Sequence, residues 1–375
     1  LYPDAATRSA QLAYDYHQAN RTAEAVPAAV RAGELALDQY GVQQAQDHFA
    51  DAARWIEEAA WAPPAALRAR LHAGWAEALR RGGQPQAALN HYTQALPNAA
   101  GVLKLHLIYQ AAALQAMSGK NPDAFSDWVT EIETELDDPW AIGALRCTQA
   151  FWEALYGNPT RARRCAAEGW ARLRHARDTD EVPPWLLDRA TIILARTHAL
   201  WGEWRLAQRY AAWALARNQA RGDAYGAADA HVTLAEATHG LGQDEEARRH
   251  AEAALAAAKN AGDLRLEGKA LHALAKVKVD GSVPTSIQPL IARLLTIATD
   301  TGDLEAAARG QLLQAQLLLG VGNLDAARKT LQPLLVKART IGIPVYVVMT
   351  LRQLAEIQLA AGDRDAPATI DEARA

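Results

Sequence analysis

The amino-acid sequence predicts an all-α fold, a right-handed α-solenoid of about nine helical hairpins after one leading helix. Three observations support this prediction. Glycines recur at steps of 20 residues from Gly202 to Gly362, with Ser282 at the one exceptional position and Gly281 beside it. Alanine- and leucine-rich segments of about 17 residues separate these glycines, which is long enough for four to five helical turns. No stretch alternates polar and apolar residues over the length of a strand.

Glycines and prolines mark the expected helix ends. Glycine adopts the left-handed backbone conformation at low cost, so it commonly follows the last turn of a helix. Early in the chain we expect helices over 4–19, ending at Asn20, over 22–39, ending at Gly41, and over 42–59. Prolines stand at other proposed helix starts, where a missing N–H group costs nothing: Pro63, Pro64, Pro139, Pro183, Pro184, Pro284 and Pro344. The whole chain should hold about 19 helices.

A recurring side-chain pattern indicates the kind of hairpin. The third helix carries Ala45, Phe49 and Ala52, the spacing found in the second helix of a tetratricopeptide repeat. Gly33 lies where the first helix of that repeat has a small residue. We expect small residues to let two helices approach and the ring to fill the gap to the next repeat. The pattern returns, in places weakened, at Ala88, Tyr92, Ala95, Ala124, Trp128, Ala162, Ala166, Ala207, Ala211, Ala214, Ala247, Ala251 and Ala254.

The repeats become regular in the second half of the chain. From residue 207 onward the equivalent position recurs every 40 residues, at Ala207, Ala247, Ile287, Ala327 and Pro367. This period exceeds the usual one of about 34 residues. We therefore expect a single domain over 1–375, with less regular repeats over 1–182 and regular 40-residue repeats over 183–375. No linker rich in glycine, proline or serine interrupts it.

Several turns between these helices are Gly-Asp or Gly-Asn, at 222–223, 262–263, 302–303, 322–323 and 362–363. With the 40-residue repeats and the opening segments 12–17 (LAYDYH) and 30–36 (VRAGELA), they resemble the tetratricopeptide sensor domains of STAND signal-transduction NTPases of bacteria. These include MalT-like and LuxR-type regulators. The resemblance implies a superhelical sensor that follows an ATPase and winged-helix region. That family's ATP-binding motifs are absent here and the first residue is Leu1, so we expect a fragment of a longer protein.

Composition and charge disfavour several kinds of partner. The chain is 50% hydrophobic and 22% charged, an ordinary balance for a folded domain. A net charge of −4 and a pI of about 6.3 argue against a dedicated nucleic-acid surface. No apolar run reaches the roughly 18 residues of a membrane helix, and no secretory signal opens the chain. We expect no nucleic-acid or membrane partner and a cytoplasmic location.

The two cysteines are predicted to lie on the two helices of one hairpin that turns near Gly157 and Asn158. Cys147 precedes the turn by about ten residues and Cys165 follows it by about seven, so their heights differ by roughly 4.5 Å at the helical rise. A disulfide at that offset would be strained. We therefore expect two reduced thiols in the core, which fits a reducing compartment.

Motifs for catalysis, metals and nucleotides are absent. The sequence contains no P-loop, no C-x-x-C, no H-E-x-x-H and no G-x-S-x-G on a strand-to-helix turn. The segment 240–242 begins like a dinucleotide fingerprint, but Glu245 replaces the third glycine and the segment follows a helix. His231 and His239 share a helix face without a nearby acid, which favours surface or groove histidines over metal ligands. We expect no enzyme activity and no cofactor in this chain.

Arginine and tryptophan are unevenly distributed, and each has two interpretations. Every cationic residue between 146 and 221 is arginine, 13 against seven acids. These arginines form either a solvated outer face or a basic zone for an acidic ligand or partner segment. Trp201, Trp204 and Trp213 cluster on one hairpin. They either pack between repeats or form an aromatic wall in a ligand groove.

The resemblance also implies a set of binding residues, because first helices line the concave face of a tetratricopeptide array. Registered on the alanine anchors, the candidates are Arg189, Arg196, Asp229, Glu236, Lys269, His272, Lys276, Arg309 and Gln316. Arg189 and Arg196 are two turns apart, so their guanidinium groups should lie about 10 Å apart on one face. With Lys269 they are predicted to bind an anionic group. The alternative interpretation is a hydrated polar wall.

The predicted function is therefore binding. The first hypothesis is a sensor that holds an inducer molecule or a protein or peptide partner, of acidic character, in its concave groove. It would relay occupancy to an NTPase domain upstream in the same chain, within a signalling or transcription regulator. The alternative is a free-standing tetratricopeptide adaptor for a peptide or protein segment. An enzyme is a third hypothesis, which the missing motifs disfavour.

Overall fold

The computed structural model describes residues 5–39, 41–117, 129, 133–134, 138–176, 184–279 and 284–374. Within these residues the regular elements are eighteen α-helices and one 3₁₀ turn, Leu96–Asn98, with no strand. The helices are α1 (Ala5–Gln18), α2 (Thr22–Asp38), α3 (Val42–Glu58), α4 (Ala65–Arg81), α5 (Pro85–Ala95), α6 (Gly101–Met117), α7 (Pro139–Leu155), α8 (Pro159–Ala176), α9 (Pro184–Leu200), α10 (Trp204–Arg221), α11 (Ala224–Gly240), α12 (Asp244–Ala261), α13 (Leu264–Val279), α14 (Pro284–Thr301), α15 (Leu304–Gly320), α16 (Leu324–Ile341), α17 (Pro344–Ala360) and α18 (Ala366–Arg374).

Consecutive helices pack as hairpins. After the leading α1, α2 packs on α3 and α4 on α5, and the same pairing joins α7 to α8, α9 to α10, α15 to α16 and α17 to α18. Side-chain hydrogen bonds link α11 to α12 and α13 to α14. First helices of neighbouring hairpins also touch, as α9 does with α7 and α11. The predicted all-α solenoid of tetratricopeptide-like hairpins is confirmed. Ala124 and Trp128 lie outside the described residues.

The chain forms two compact units. One comprises Leu1–Gln115 and Ala258–Arg265, and the other comprises Ala116–Ala257 and Leu266–Ala375. A core of the first unit is built around Val26, Phe49 and Leu71. A core of the second lies between α15, α16 and α17 and includes Leu331 and Ile357, both fully buried.

Eight glycines with left-handed backbone follow the regular helices of the second half. Their φ angles lie between 62° and 76°, a range that glycine adopts without steric cost; they are Gly202, Gly222, Gly242, Gly262, Gly302, Gly322, Gly342 and Gly362. Asp223, Asp303 and Asn323 then accept the backbone N–H three residues later and so cap the next helix. At 222–223, 302–303 and 322–323 the glycine thus ends one helix and the next residue caps the following one. Gly281 lies outside the described residues.

Phe49 shows how neighbouring hairpins fit together. Its ring is fully buried between Gly33 of α2 and Gly74 of α4. A Cβ atom on Gly33 would lie 2.7 Å from the ring, and one on Gly74 would lie closer still. The predicted role of this ring in filling the gap to the next repeat is confirmed.

Tyr92 is the aromatic residue of the next predicted pattern. It is also fully buried, and its hydroxyl donates to a Glu77 carboxylate oxygen at 3.0 Å.

The alanine anchors are buried as expected, with one correction. Ala207, Ala247, Ile287 and Ala327 are fully buried, but Pro367 is exposed and Ala366 takes the buried position. The closing helix begins at Ala366, so its first residue enters the core. Pro367 follows in the first turn of this helix. Backbone N–H groups there have no acceptor within the helix, so proline loses no hydrogen bond at this position.

Candidate functional site

Partly buried polar side chains form a row along the first helices of four consecutive hairpins in the second unit. The helices α9, α11, α13 and α15 carry Arg189, Asp229, Lys269 and Arg309 at steps of 40 residues, and seven residues later Arg196, Glu236, Lys276 and Gln316. All eight are partly buried, whereas the alanines next to several of them are fully buried. A spacing of seven residues is close to two turns, so both positions share one helix face. These eight residues and His272 are called the polar stripe below.

Asp229 is the centre of one ionic cluster in the polar stripe. It accepts a short hydrogen bond from Arg196 and a longer one, 3.4 Å, from Lys269. Its side chain is only 13% exposed. Burial raises the pKa of Asp229, but the charges of Arg196, Lys269 and Arg189 together outweigh burial and hold that pKa well below its ordinary value. The structure therefore brings four predicted residues from α9, α11 and α13 together.

Glu236 is the centre of a second cluster. Arg309 donates to Glu236 at 2.9 Å, and His272 lies 3.5 Å from the same oxygen. Burial raises the pKa of Glu236, but Arg309, His272 and Lys276 hold it well below its ordinary value. Burial also lowers the pKa of His272, and with Arg309 beside it that pKa falls to about 4. His272 is therefore neutral near pH 7, next to a charged Glu236–Arg309 pair.

The contacts of the polar stripe place it on the inner side of a curve. Arg309 and Glu236 belong to hairpins that are separated by a complete hairpin, α13 with α14. Side chains of second-neighbour hairpins can meet only where the array bends toward them. A second contact also indicates that this unit is strongly curved. Gly157 lies between α7 and α8, and a Cβ atom on it would lie 3.4 Å from a side-chain carbon of Pro344, the first residue of α17. First helices therefore line the inner side of the second unit.

The second cluster contains two further residues that the sequence pattern did not predict. Glu305 forms an ion pair with Arg309 at 2.8 Å, one turn away on α15. Tyr346 of α17 shares a hydrogen bond with Arg309, and burial, together with Glu305, raises its pKa. The sequence contains a signal for each. Glu305 precedes Arg309 by four residues, which is one helical turn. Tyr346 follows Arg309 by 37 residues, the same separation as between His272 and Arg309.

The histidines considered as ligands do not meet one another. His231 pairs with His250 of α12 through their Nδ1 atoms, 2.8 Å apart, and His239 pairs with Asp244 at 2.8 Å. A second imidazole pair, His72 and His91, lies in the first unit. Within the described residues, no group of three or more His, Cys, Asp or Glu side chains is placed to hold a metal ion.

The tryptophan cluster lies between neighbouring hairpins. Trp213 meets the Trp170 ring of the preceding hairpin edge to face at 6.2 Å. Trp204 covers Gly240 of the following hairpin so closely that a Cβ there would collide with the indole. Arg163 stacks over Trp201 at 4.5 Å. These contacts favour packing between repeats over an aromatic wall in a groove.

Comparison with known proteins identifies the fold. No family model matches the chain, and neither does any curated protein. A crystal structure of a Rap protein complexed with Competence and Sporulation Factor aligns over 93% of this chain and 96% of its own, with a TM-score of 0.60 and 13% identity. A STAND protein with a tetratricopeptide repeat sensor from Pyrococcus horikoshii aligns over 90% of this chain, with a TM-score of 0.48 and 14% identity. The aligned part spans 54% of that STAND protein.

At 13% identity, the likeness between this chain and the Rap protein shows a shared tetratricopeptide-like solenoid fold.

The hydropathy of the described helices was compared with that of membrane-spanning helices. None of the described helices is both long and apolar enough to cross a membrane.

Proposed function

We propose that this chain is a non-catalytic sensor or interaction domain that holds a protein or peptide segment against its polar stripe. The observation that carries the proposal is the Arg309–Glu236 contact, which joins charged side chains across three hairpins on the inner side of the curve. Replacing a buried ion pair by apolar residues is often neutral or stabilising. Charged residues at one register on four helices are therefore better explained by recognition than by fold stability.

The arrangement of charge along the polar stripe favours an extended ligand with a defined direction. Arg189, Arg196 and Lys269 gather around Asp229 at one end, and Glu236 and Arg309 lie farther along. Neighbouring first helices pack about 10 Å apart, so four of them span roughly 30 Å, the length of an extended peptide of about nine residues. An acidic side chain or a terminal carboxylate of the ligand would face the arginine end, where Arg can bind it through two hydrogen bonds.

The same proposal suggests how occupancy is relayed. A segment that contacts several first helices at once binds best at one curvature of the array, so binding and curvature are coupled. The sequence resemblance to STAND sensors supports an upstream NTPase, of the MalT-like or LuxR type, as the receiver of this change. The similarly folded Rap protein, which was crystallised with Competence and Sporulation Factor, supports an occupant in such a solenoid. In the alternative, a free-standing adaptor, the same stripe would bind a peptide without an NTPase.

The binding proposal is tested by selecting peptides from a random library on the protein and measuring their affinity for variants. Arg189→Ala and the paired change Arg196→Ala with Asp229→Ala should each weaken binding about tenfold or more, since a charged hydrogen bond contributes on the order of 1.5–3 kcal/mol. The paired change removes Arg196 together with the carboxylate that it contacts, although Lys269 then loses the same carboxylate. Arg352→Ala is the control, because that side chain is 80% exposed on α17. Normal binding by both stripe variants would refute the site.

The two hypotheses for the whole protein differ in what precedes Leu1. A P-loop NTPase encoded directly upstream supports the sensor, and its ATPase rate should change when a selected peptide is added. A gene without an NTPase supports the adaptor.

A further inference from the structure

The structure separates the arginines of 146–221 into groups. Five form ion pairs with acids of the fold: Arg146 with Glu133, Arg161 with Glu153, Arg163 with Glu203, and both Arg217 and Arg221 with Asp188. Arg189 and Arg196 belong to the polar stripe, and Arg177 lies outside the described residues. Five remain, all exposed: Arg164, Arg172 and Arg174 on α8, and Arg205 and Arg209 on α10. These five, which make no ion pair among the described residues, are called the arginine face.

The two helices of the arginine face lie side by side. They are the second helices of neighbouring hairpins, and Trp170 of α8 meets Tyr210 of α10 edge to face at 5.1 Å. Arg163 and Glu203 form an ion pair of 2.6 Å that joins the starts of both helices. Arg205 and Arg209 are one turn apart, so their side chains point the same way. The arginine face therefore lies on second helices, separate from the polar stripe on first helices. Arg172 is at its edge, on the side of α7, where its Cβ atom would lie 3.0 Å from a Cβ on Gly143.

The charge balance of these helices is unlike that of the next second helix. α8 contains a single acid, Glu168, and α10 contains none. α12 carries four acids, of which Asp244, Glu245 and Glu246 are in its first turn, against three basic residues, Arg248, Arg249 and Lys259. Gln208 donates to Gln243 at 3.1 Å, which places the start of α12 beside α10. The basic surface is thus two helices wide and ends at the acidic first turn of α12.

From this arrangement we infer that the arginine face binds an acidic segment of a partner protein. Guanidinium groups that repel one another disfavour the folded chain, and a partner's carboxylates remove that repulsion. Each exposed arginine can take a carboxylate through two hydrogen bonds, which lysine cannot do. Two helices give a width of roughly 20 Å, enough for a short run of Asp and Glu. A long polyanion such as a nucleic acid would extend over the acidic start of α12 and be repelled there.

The test uses a fluorescein-labelled decaglutamate peptide and fluorescence anisotropy at low and moderate salt. The unaltered protein should bind it, and binding should weaken as salt rises. Arg205→Gln with Arg209→Gln, and the triple change of Arg164, Arg172 and Arg174 to Gln, should each weaken binding about tenfold. Arg248→Gln with Arg352→Gln removes as much charge as the first of these, from arginines that are paired with Glu245, Glu252 and Glu356. This control should bind within about twofold of the unaltered protein.

Three results would overturn the inference: no binding at low salt, equal losses in the control pair, or tighter binding of a single-stranded oligonucleotide that the same arginine changes abolish. Arg189→Gln separates this surface from the polar stripe of the proposed function. Decaglutamate binding that Arg189→Gln abolishes, and that the arginine-face changes leave unaltered, would belong to the polar stripe and contradict the inference. Circular dichroism and the melting temperature verify that each variant is folded. If a multiple variant unfolds, Arg205→Gln and Arg209→Gln are measured singly and should each weaken binding about threefold.

Discussion

Arg309 of α15 donates to Glu236 of α11 at 2.9 Å, past the intervening helix α13. His272 of α13 lies between them, 3.3 Å from Arg309 and 3.5 Å from Glu236. One small cluster thus connects three consecutive hairpins. Because each hairpin of a solenoid otherwise contacts its direct neighbours, this cluster ties the local curvature to the state of three side chains.

Removing one partner of this cluster should destabilise the second unit. We expect Glu236→Gln to lower the free energy of unfolding by about 1–3 kcal/mol, below the full cost of a buried pair because the two side chains are 15% and 22% exposed. Replacing all three charged side chains, Glu236→Gln and Glu305→Gln with Arg309→Met, should recover part of the loss, because neither carboxylate then loses its arginine. Urea denaturation followed by circular dichroism measures both. Arg352→Ala, at an exposed pair with Glu356, should change stability by less than about 0.5 kcal/mol.

The register of the polar stripe was predictable because the repeat period is constant. Once one helix is placed, steps of 40 residues assign equivalent positions on the others, and eight of the nine predicted residues take part in the two clusters. Their pairing was not predictable in the same way. Whether Glu236 meets Arg309 depends on how far each hairpin rotates relative to the last, and that small rotation is set by core packing rather than by sequence spacing.

The ion pairs of the arginine-rich zone 146–221 were also not predictable from the sequence. Arg164 and Arg161 are equally basic in the sequence, yet Arg161 pairs with Glu153 and Arg164 is exposed without an ion pair among the described residues. Which arginine meets an acid depends on the helix face that each one occupies and on the neighbouring hairpin. The sequence alone therefore left both interpretations of this zone open.

Gly74 is predicted to tolerate no side chain. The Cβ atom of Gly74→Ala would overlap the buried Phe49 ring, so we expect a loss of about 1–3 kcal/mol by overpacking. Adding Phe49→Leu should restore part of that loss by making room. Gly320→Ala is the matched control, since nothing lies within 4 Å of its added Cβ. The melting temperatures of these three variants test the prediction, and Gly74→Ala should have the lowest. Equal melting temperatures for Gly74→Ala and Gly320→Ala would contradict this packing.

The two thiols should react slowly in the folded protein. Cys147 and Cys165 lie buried on α7 and α8, the hairpin predicted for them, and burial raises the pKa of both. Because the thiolate is the reactive form, Ellman's reagent should modify them only at the rate at which the hairpin opens. Unfolded protein without reductant should release two equivalents at once. A mass two units low, which indicates a disulfide, would contradict the prediction, as would rapid reaction of the native protein.

The imidazole pairs should make stability depend on pH. His231 and His250 share one hydrogen bond, so one ring must donate and the other must accept, and the pair cannot carry a proton on both Nδ1 atoms. Burial, with the neighbouring His250, lowers the pKa of His231 to about 4. Burial also lowers the pKa of His250, against an opposing effect of Glu246. Burial, with His72, lowers the pKa of His91 to about 4 in the other pair.

A lowered folded-state pKa means that the unfolded chain binds the proton more tightly. Stability should therefore be complete above about pH 6.5 and fall as the pH drops toward 4, by at most about 2 kcal/mol per such histidine at pH 5. Urea denaturation at several pH values between 4.5 and 8 measures this slope. His231→Gln should flatten it, because a side chain that does not titrate can still hydrogen-bond to His250. An unaltered slope in a variant that replaces both His231 and His91 would show that other groups govern the acid response.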